Sequence, residues 1–127
     1  MKRFVLDGDA FDGLPAFYDH AGDVLCPGFA WGRNLDAFKD ILYGGFGVFE
    51  DSEEIELVWK NSAKSKQDLG HRETAWWLEE TLDRIHPTNR ERWMERLAAA
   101  RSGRGPTLYD ELVEIIRHHQ TILFREE

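Results

Sequence analysis

Three short apolar runs, Phe4–Leu6, Ile55–Trp59 and Thr121–Phe124, are spread over 127 residues, and the long gaps between them carry helical patterns rather than hairpin turns. Strands joined this way pair in parallel, because only a crossover of a dozen or more residues returns the chain to the same end of a sheet. The expected fold is therefore a small α/β domain, a parallel sheet packed by helices. There is no internal repeat and no low-complexity tract. Hydrophobic residues make up 42% of the chain and 16 residues are aromatic, enough for one core and too many for a disordered segment. No uncharged stretch approaches the roughly 20 apolar residues of a membrane-spanning helix; Val24–Gly32 is as long as any.

The gaps resolve into individual helices. Leu14, Phe17, Tyr18, Ala21 and Leu25 recur at helical spacing behind Pro15, which places a first helix over about Leu14–Val24. Asn34 is a good N-cap for a second, whose apolar face is Leu35, Phe38, Ile41 and Leu42 and whose stop is Gly44-Gly45. Ile55–Trp59 reads as a strand in the middle of the sheet, although Glu56 then needs an edge or a partner. From Ser65 the pattern is helical again. Ala75, Leu78, Leu82 and Ile85 form one stripe beside Trp76 and Trp77, ended by His86-Pro87. Thr88–Glu91 has the spacing of a capping box for a helix containing Trp93 and Leu97. After the loop Ser102–Pro106, Thr107 caps a last helix with Leu108, Leu112, Ile115 and Ile116 on one side.

Most chemical motifs have a plainer structural reading. Tyr43-Gly-Gly-Phe-Gly47 lacks the Gly-Lys-Ser/Thr of a phosphate loop and reads as cap plus turn. Cys26 is the only cysteine and has no neighbouring His, so neither an internal disulfide nor a nucleophile is expected; a reducing cytoplasm is the expected setting. His118 and His119 are adjacent on a helix and point about 100° apart, which is poor spacing for two ligands of one metal. No metal and no cofactor are expected. Trp76, Trp77 and Trp93 suit core packing or a helix–helix contact better than base stacking.

Charge is informative through its distribution. The first 58 residues hold 12 acids against four bases, and the remaining 69 hold 12 of each, so the whole net charge of −8 lies in the first half. Such a half repels nucleic acid and attracts a basic partner. Within it, Asp36 and Asp40 stand at i and i+4 on the exposed face of the second helix. Like charges at that spacing cost a helix a few tenths of a kcal/mol, about 0.2–0.5, and only Asp36 lies where the helix dipole offsets this. Three readings are open: a solvated face, a site for a basic partner, or a pair of catalytic carboxylates.

The segment Trp31-Gly-Arg-Asn-Leu-Asp-Ala-Phe-Lys-Asp-Ile-Leu42, with Trp59 followed by Ser65-Lys66-Gln67, resembles the barstar family, bacterial inhibitors of the ribonuclease barnase. The resemblance covers about 90 residues and implies a three-stranded parallel sheet packed by helices in one domain, 1–127. It implies a binding function without catalysis, in which an acidic helix and the loop before it take the place of RNA phosphate. By that resemblance Asp40 matches the deepest carboxylate and Asp36 its neighbour one turn earlier. Asn34 matches the helix-start amide and Trp31 an aromatic before the glycine; Lys39 stands where the family has an aromatic, and Tyr43 closes the partner-binding segment. Residues 71–104 have no counterpart in the resemblance and read as a helical insertion, net +1. The expected partner is a basic ribonuclease or related toxin, with no direct nucleic acid and no membrane. A monomer is expected, with self-association through 71–104 as the other arrangement. The alternative is a barstar-fold interaction or immunity protein for a different basic partner.

Overall fold

A computed structural model describes all residues, 1–127. The strands are β1 (Lys2–Asp7), β2 (Ile55–Lys60) and β3 (Ile122–Glu126). They pair in parallel in the order β1-β2-β3, with Val5 opposite Val58 and Leu57 opposite Phe124. The helices are α1 (Leu14–Leu25), α2 (Leu35–Ile41), α3 (Ser62–Asp68), α4 (His71–Leu82), α5 (Arg90–Arg101) and α6 (Leu108–Arg117). The central strand has the partner its acidic residue requires: Glu56 faces Arg125 of β3 at 3.2 Å.

Packing explains this order. Ile55, Leu57, Val58 and Trp59 of β2 are all buried, as befits a strand covered on both faces. Trp59 is fully buried and its indole N–H donates to Ser65 Oγ at 2.9 Å. The spacing of Trp59 and Ser65 thus has a structural cause, since α3 begins immediately after β2 and turns its hydroxyl back over the ring. The Phe17 ring of α1 stacks on Trp59 at 5.4 Å, and Phe38 of α2 meets Phe17 edge-on at 5.3 Å. This aromatic chain ties sheet, α1 and α2 together.

Local signals were partly overruled. The helix expected from Ser65 to Ile85 is broken at Leu69-Gly70 into α3 and α4, and α4 ends at Leu82, before His86-Pro87. The capping box expected at Thr88–Glu91 does not form. The N-cap of α5 is Asn89, without a side-chain bond, and Thr88 instead exchanges contacts with His86 across a short 3₁₀ turn, Pro87–Asn89. Pro87 favours that turn and displaces the helix start by one residue. The box forms at the head of α6, where Thr107 and Asp110 bond reciprocally.

Helices α4 and α5 form a hairpin with a small core of its own, Leu78, Leu97 and Ala100. Trp77 and Trp93 meet across it at 5.5 Å. Its first turn is anchored in the main body. Thr74 Oγ1 accepts the buried N–H of Leu108 at 2.8 Å while donating to the Gly70 carbonyl, and Glu73 accepts the N–H of Leu14 at 2.6 Å. Thr74→Val removes the acceptor and leaves a buried donor unpaired, which costs about 1–3 kcal/mol. Thermal unfolding should show the melting temperature falling by several degrees; an unchanged melt would refute the role given to this bond.

A second bond couples the end of β1 to pH. The N–H of Asp7 donates to His20 Nε2 at 2.9 Å, and burial holds the His20 imidazole below its ordinary value, with Asp7 and Asp23 partly opposing. The folded protein therefore binds fewer protons here than the unfolded chain, whose imidazole titrates near 6.5. Stability from this group is present above that pH and is lost as pH falls through it. His20→Gln, which keeps an acceptor, should flatten the decline in melting temperature between pH 7.5 and 5.5. A variant with the wild-type slope would show that another group is responsible.

Candidate partner-binding face

Helix α2 is short and its geometry is fixed from both ends. At its start Asn34 Oδ1 accepts the N–H of Ala37 at 2.8 Å, and the amide donates to the Gly32 carbonyl at 3.2 Å. Just before the cap, Arg33 adopts a left-handed conformation, φ 53°, and its guanidinium reaches back to Asp19 of α1 at 2.5 Å. That pairing directs the one cation of the preceding loop away from the carboxylates of α2. At its end Gly44 and Gly45 both have φ of 87°, the left-handed geometry that glycine adopts without steric cost.

The inner face of α2 is Phe38 and Ile41, both buried. Its outer face carries Asp36, Lys39 and Asp40, all exposed, and none of the three takes part in an ion pair. Tyr43 follows on the same side of the chain's exit, 45% exposed. Trp31 is placed differently. It is half-buried, packs edge-on to Tyr18 at 5.5 Å, and leaves so little room over Gly22 that a Cβ there would stand 2.6 Å from its indole nitrogen. Its role in the structure is to hold the Cys26–Asn34 loop against α1. The face thus brings together Asn34, Asp36, Lys39, Asp40 and Tyr43, with Trp31 as a support behind them.

Two features escaped the sequence reading. Phe29 is 53% exposed and meets Phe46 edge-on at 5.5 Å, joining the loops on either side of α2. An aromatic directly after Pro27-Gly28, on no helical face that could bury it, was the available signal. His119 is the second. It is buried, with Nδ1 2.9 Å from the Ile115 carbonyl and Nε2 3.0 Å from the Lys39 carbonyl, in the last turn of α2 where helix carbonyls lack N–H partners. Tyr43 covers the ring at 4.6 Å. His119 therefore docks the C-terminal half of α2 on the end of α6, while its neighbour His118 is exposed beside Glu114.

Other candidates do not assemble here. Cys26 is buried, and burial, aided by Asp23, pushes its thiol up, away from the reactive thiolate. No three His, Cys, Asp or Glu side chains converge as metal ligands, and no helix is long and apolar enough to cross a membrane.

The geometry yields a prediction. His119→Phe preserves the ring volume but removes both polar ring contacts, to the Ile115 and Lys39 carbonyls, so it should cost about 1–3 kcal/mol and loosen α2. Amide exchange in α2 should accelerate more than in α1. Uniform acceleration throughout the chain would refute a specific docking role.

Among known proteins, a family model described as Barstar (barnase inhibitor) matches residues 1–101. That span contains β1, β2, the whole α2 face and α3 to α5. No curated protein and no solved structure matches the chain.

Proposed function

The chain belongs to the barstar family, whose members are inhibitors and not enzymes, and from that premise we propose that it inhibits a basic bacterial ribonuclease by filling its active site with α2 and the loop before it. The observation that carries this reading is the state of Asp36 and Asp40. Both are exposed and without an ion pair, on a helix whose opposite face is buried. A ribonuclease must present cations where it holds phosphate. Two carboxylates one helical turn apart offer that site charges of the kind it is built to bind, without a scissile bond.

Rigidity makes such mimicry effective. The Asn34 cap, the Arg33–Asp19 pair and the His119 bridge hold the carboxylates before the partner arrives, so little ordering remains to be done on binding. The acidic first half steers a basic partner toward this face, and salt weakens that steering. Asp40 is assigned the deepest contact and Asp36 the next, with Asn34, Lys39 and Tyr43 around them and Trp31 behind. In the cytoplasm, such an inhibitor protects the cell from a nuclease it makes or receives.

One observation favours a second reading, an immunity or interaction protein for a different basic partner. Lys39 places an unpaired cation on the same exposed side of α2 as the two carboxylates. A target suited to this face must accommodate it.

The test is titration of a small basic guanyl-specific ribonuclease with the purified chain at low and high salt. Inhibition should be stoichiometric and should weaken with salt. Removing one member of a desolvated charge pair costs about 3–5 kcal/mol, so Asp40→Ala should bind at least a hundredfold more weakly. Its folding stability should change by no more than about 0.5 kcal/mol, as for other exposed positions. Full inhibition by Asp40→Ala would refute the anchor; no inhibition by the wild-type chain would favour the second reading.

A further inference from the structure

Beside the acidic helix lies a groove of opposite character. It occupies about 530 Å³ between the first turn of α2, with Asn34, Leu35 and Asp36 on its wall, and the α4–α5 hairpin. In its half-buried part the charges are paired. The Arg96 guanidinium lies 5.3 Å from the Trp77 ring and 5.8 Å from that of Trp93, and Arg96 Nη2 stands 2.6 Å from Glu111 Oε2. Two more lining arginines, Arg84 and Arg92, are exposed and have no carboxylate partner.

We infer that this groove is a second contact for the partner held by α2, and that it receives a carboxylate side chain from the rim of that partner's basic cleft through Arg84 and Arg92. The inference rests on the function proposed above. Asp36 lines both surfaces, so a protein seated on α2 extends over the groove. If its surface there were uniformly basic, two unneutralised guanidiniums would oppose it. A carboxylate is the complementary group, since a guanidinium presents paired N–H donors that match its two oxygens. A longer polyanion such as RNA fits less well, because its next phosphates would meet Asp36 and Asp40. The indole pair fixes the depth at which the carboxylate sits, and the surface on the partner is correspondingly bipolar: basic in its cleft, acidic at one edge.

The sign of a mutational effect tests this. In the complex with the small basic guanyl-specific ribonuclease, Arg84→Ala/Arg92→Ala should raise Kd tenfold or more while the far-ultraviolet circular dichroism and melting temperature stay as in wild type. The double charge reversal to Glu should raise Kd further. If no carboxylate meets the groove, removing two cations next to a basic partner leaves Kd unchanged or lowers it, and either result overturns the inference.

Should the wild-type chain not bind that ribonuclease, the reading of the function fails separately and the groove is examined directly. A neutral hexapeptide carrying one glutamate, at millimolar concentration, should shift the Arg84 and Arg92 Nε–H and the Trp77 and Trp93 indole resonances. The same peptide with glutamine should not. Equal shifts, no shifts, a response to an RNA oligonucleotide alone, or dimerisation of the chain that the double variant abolishes would each overturn it.

Discussion

The stacking of Phe17 on Trp59, continued edge-on to Phe38, is the contact on which the arrangement of this protein depends. Trp59 is in the central strand, Phe17 in α1 and Phe38 in α2, so three rings carry position from the middle of the sheet to the helix that bears the acidic face. Aromatic pairs of this kind add roughly 0.5–1.5 kcal/mol each beyond the area they bury. Their larger consequence is geometric. With Phe38 and Ile41 committed inward, the helical period leaves Asp36 and Asp40 no direction but outward.

Electrostatics then divides the surface. The acids of the first half have few local cations, and the one in the preceding loop, Arg33, is engaged by α1. The carboxylates of α2 therefore remain available at a cost of a few tenths of a kcal/mol, about 0.2–0.5, from their mutual repulsion. The hairpin α4–α5 supplies the opposite sign. Within it Arg101 pairs with Glu79, and Arg96 reaches Glu111 of α6, whereas Arg84, whose Nη2 donates to the Glu80 carbonyl, and Arg92 line the groove beside α2 without a carboxylate partner. An acidic face bordered by a basic groove is more selective than an acidic face alone, because a partner must match both signs in the right places.

Much of this was legible in the chain itself. The period-3.6 stripe of α1, the Asn34 cap, the glycines after α2 and the Thr107 cap of α6 each depend on residues within one or two turns, and each appears where its signal stands. The Trp31–Leu42 segment and the Trp59–Ser65 spacing pointed to the family that residues 1–101 match. Boundaries failed where neighbouring signals competed. Thr88–Glu91 has the spacing of a capping box, but Pro87 fixes a 3₁₀ turn there first. The stripe from Ser65 runs on past Leu69-Gly70, where Gly70 ends one helix and caps the next.

The sequence by itself determined the parallel α/β class, the elements of the acidic helix and the placement of Asp36 and Asp40 on one outward face, because those follow from periodicity and capping over a few residues. Only the tertiary structure decided that His119 bonds the carbonyl of Lys39, 80 positions earlier, and that Trp31 supports the loop from behind. It alone also decided that the arginines of the hairpin share a groove with Asp36. Those are contacts between distant segments, set by how the helices pack over the sheet, and no local pattern of residues encodes the distance between two surfaces that packing brings together.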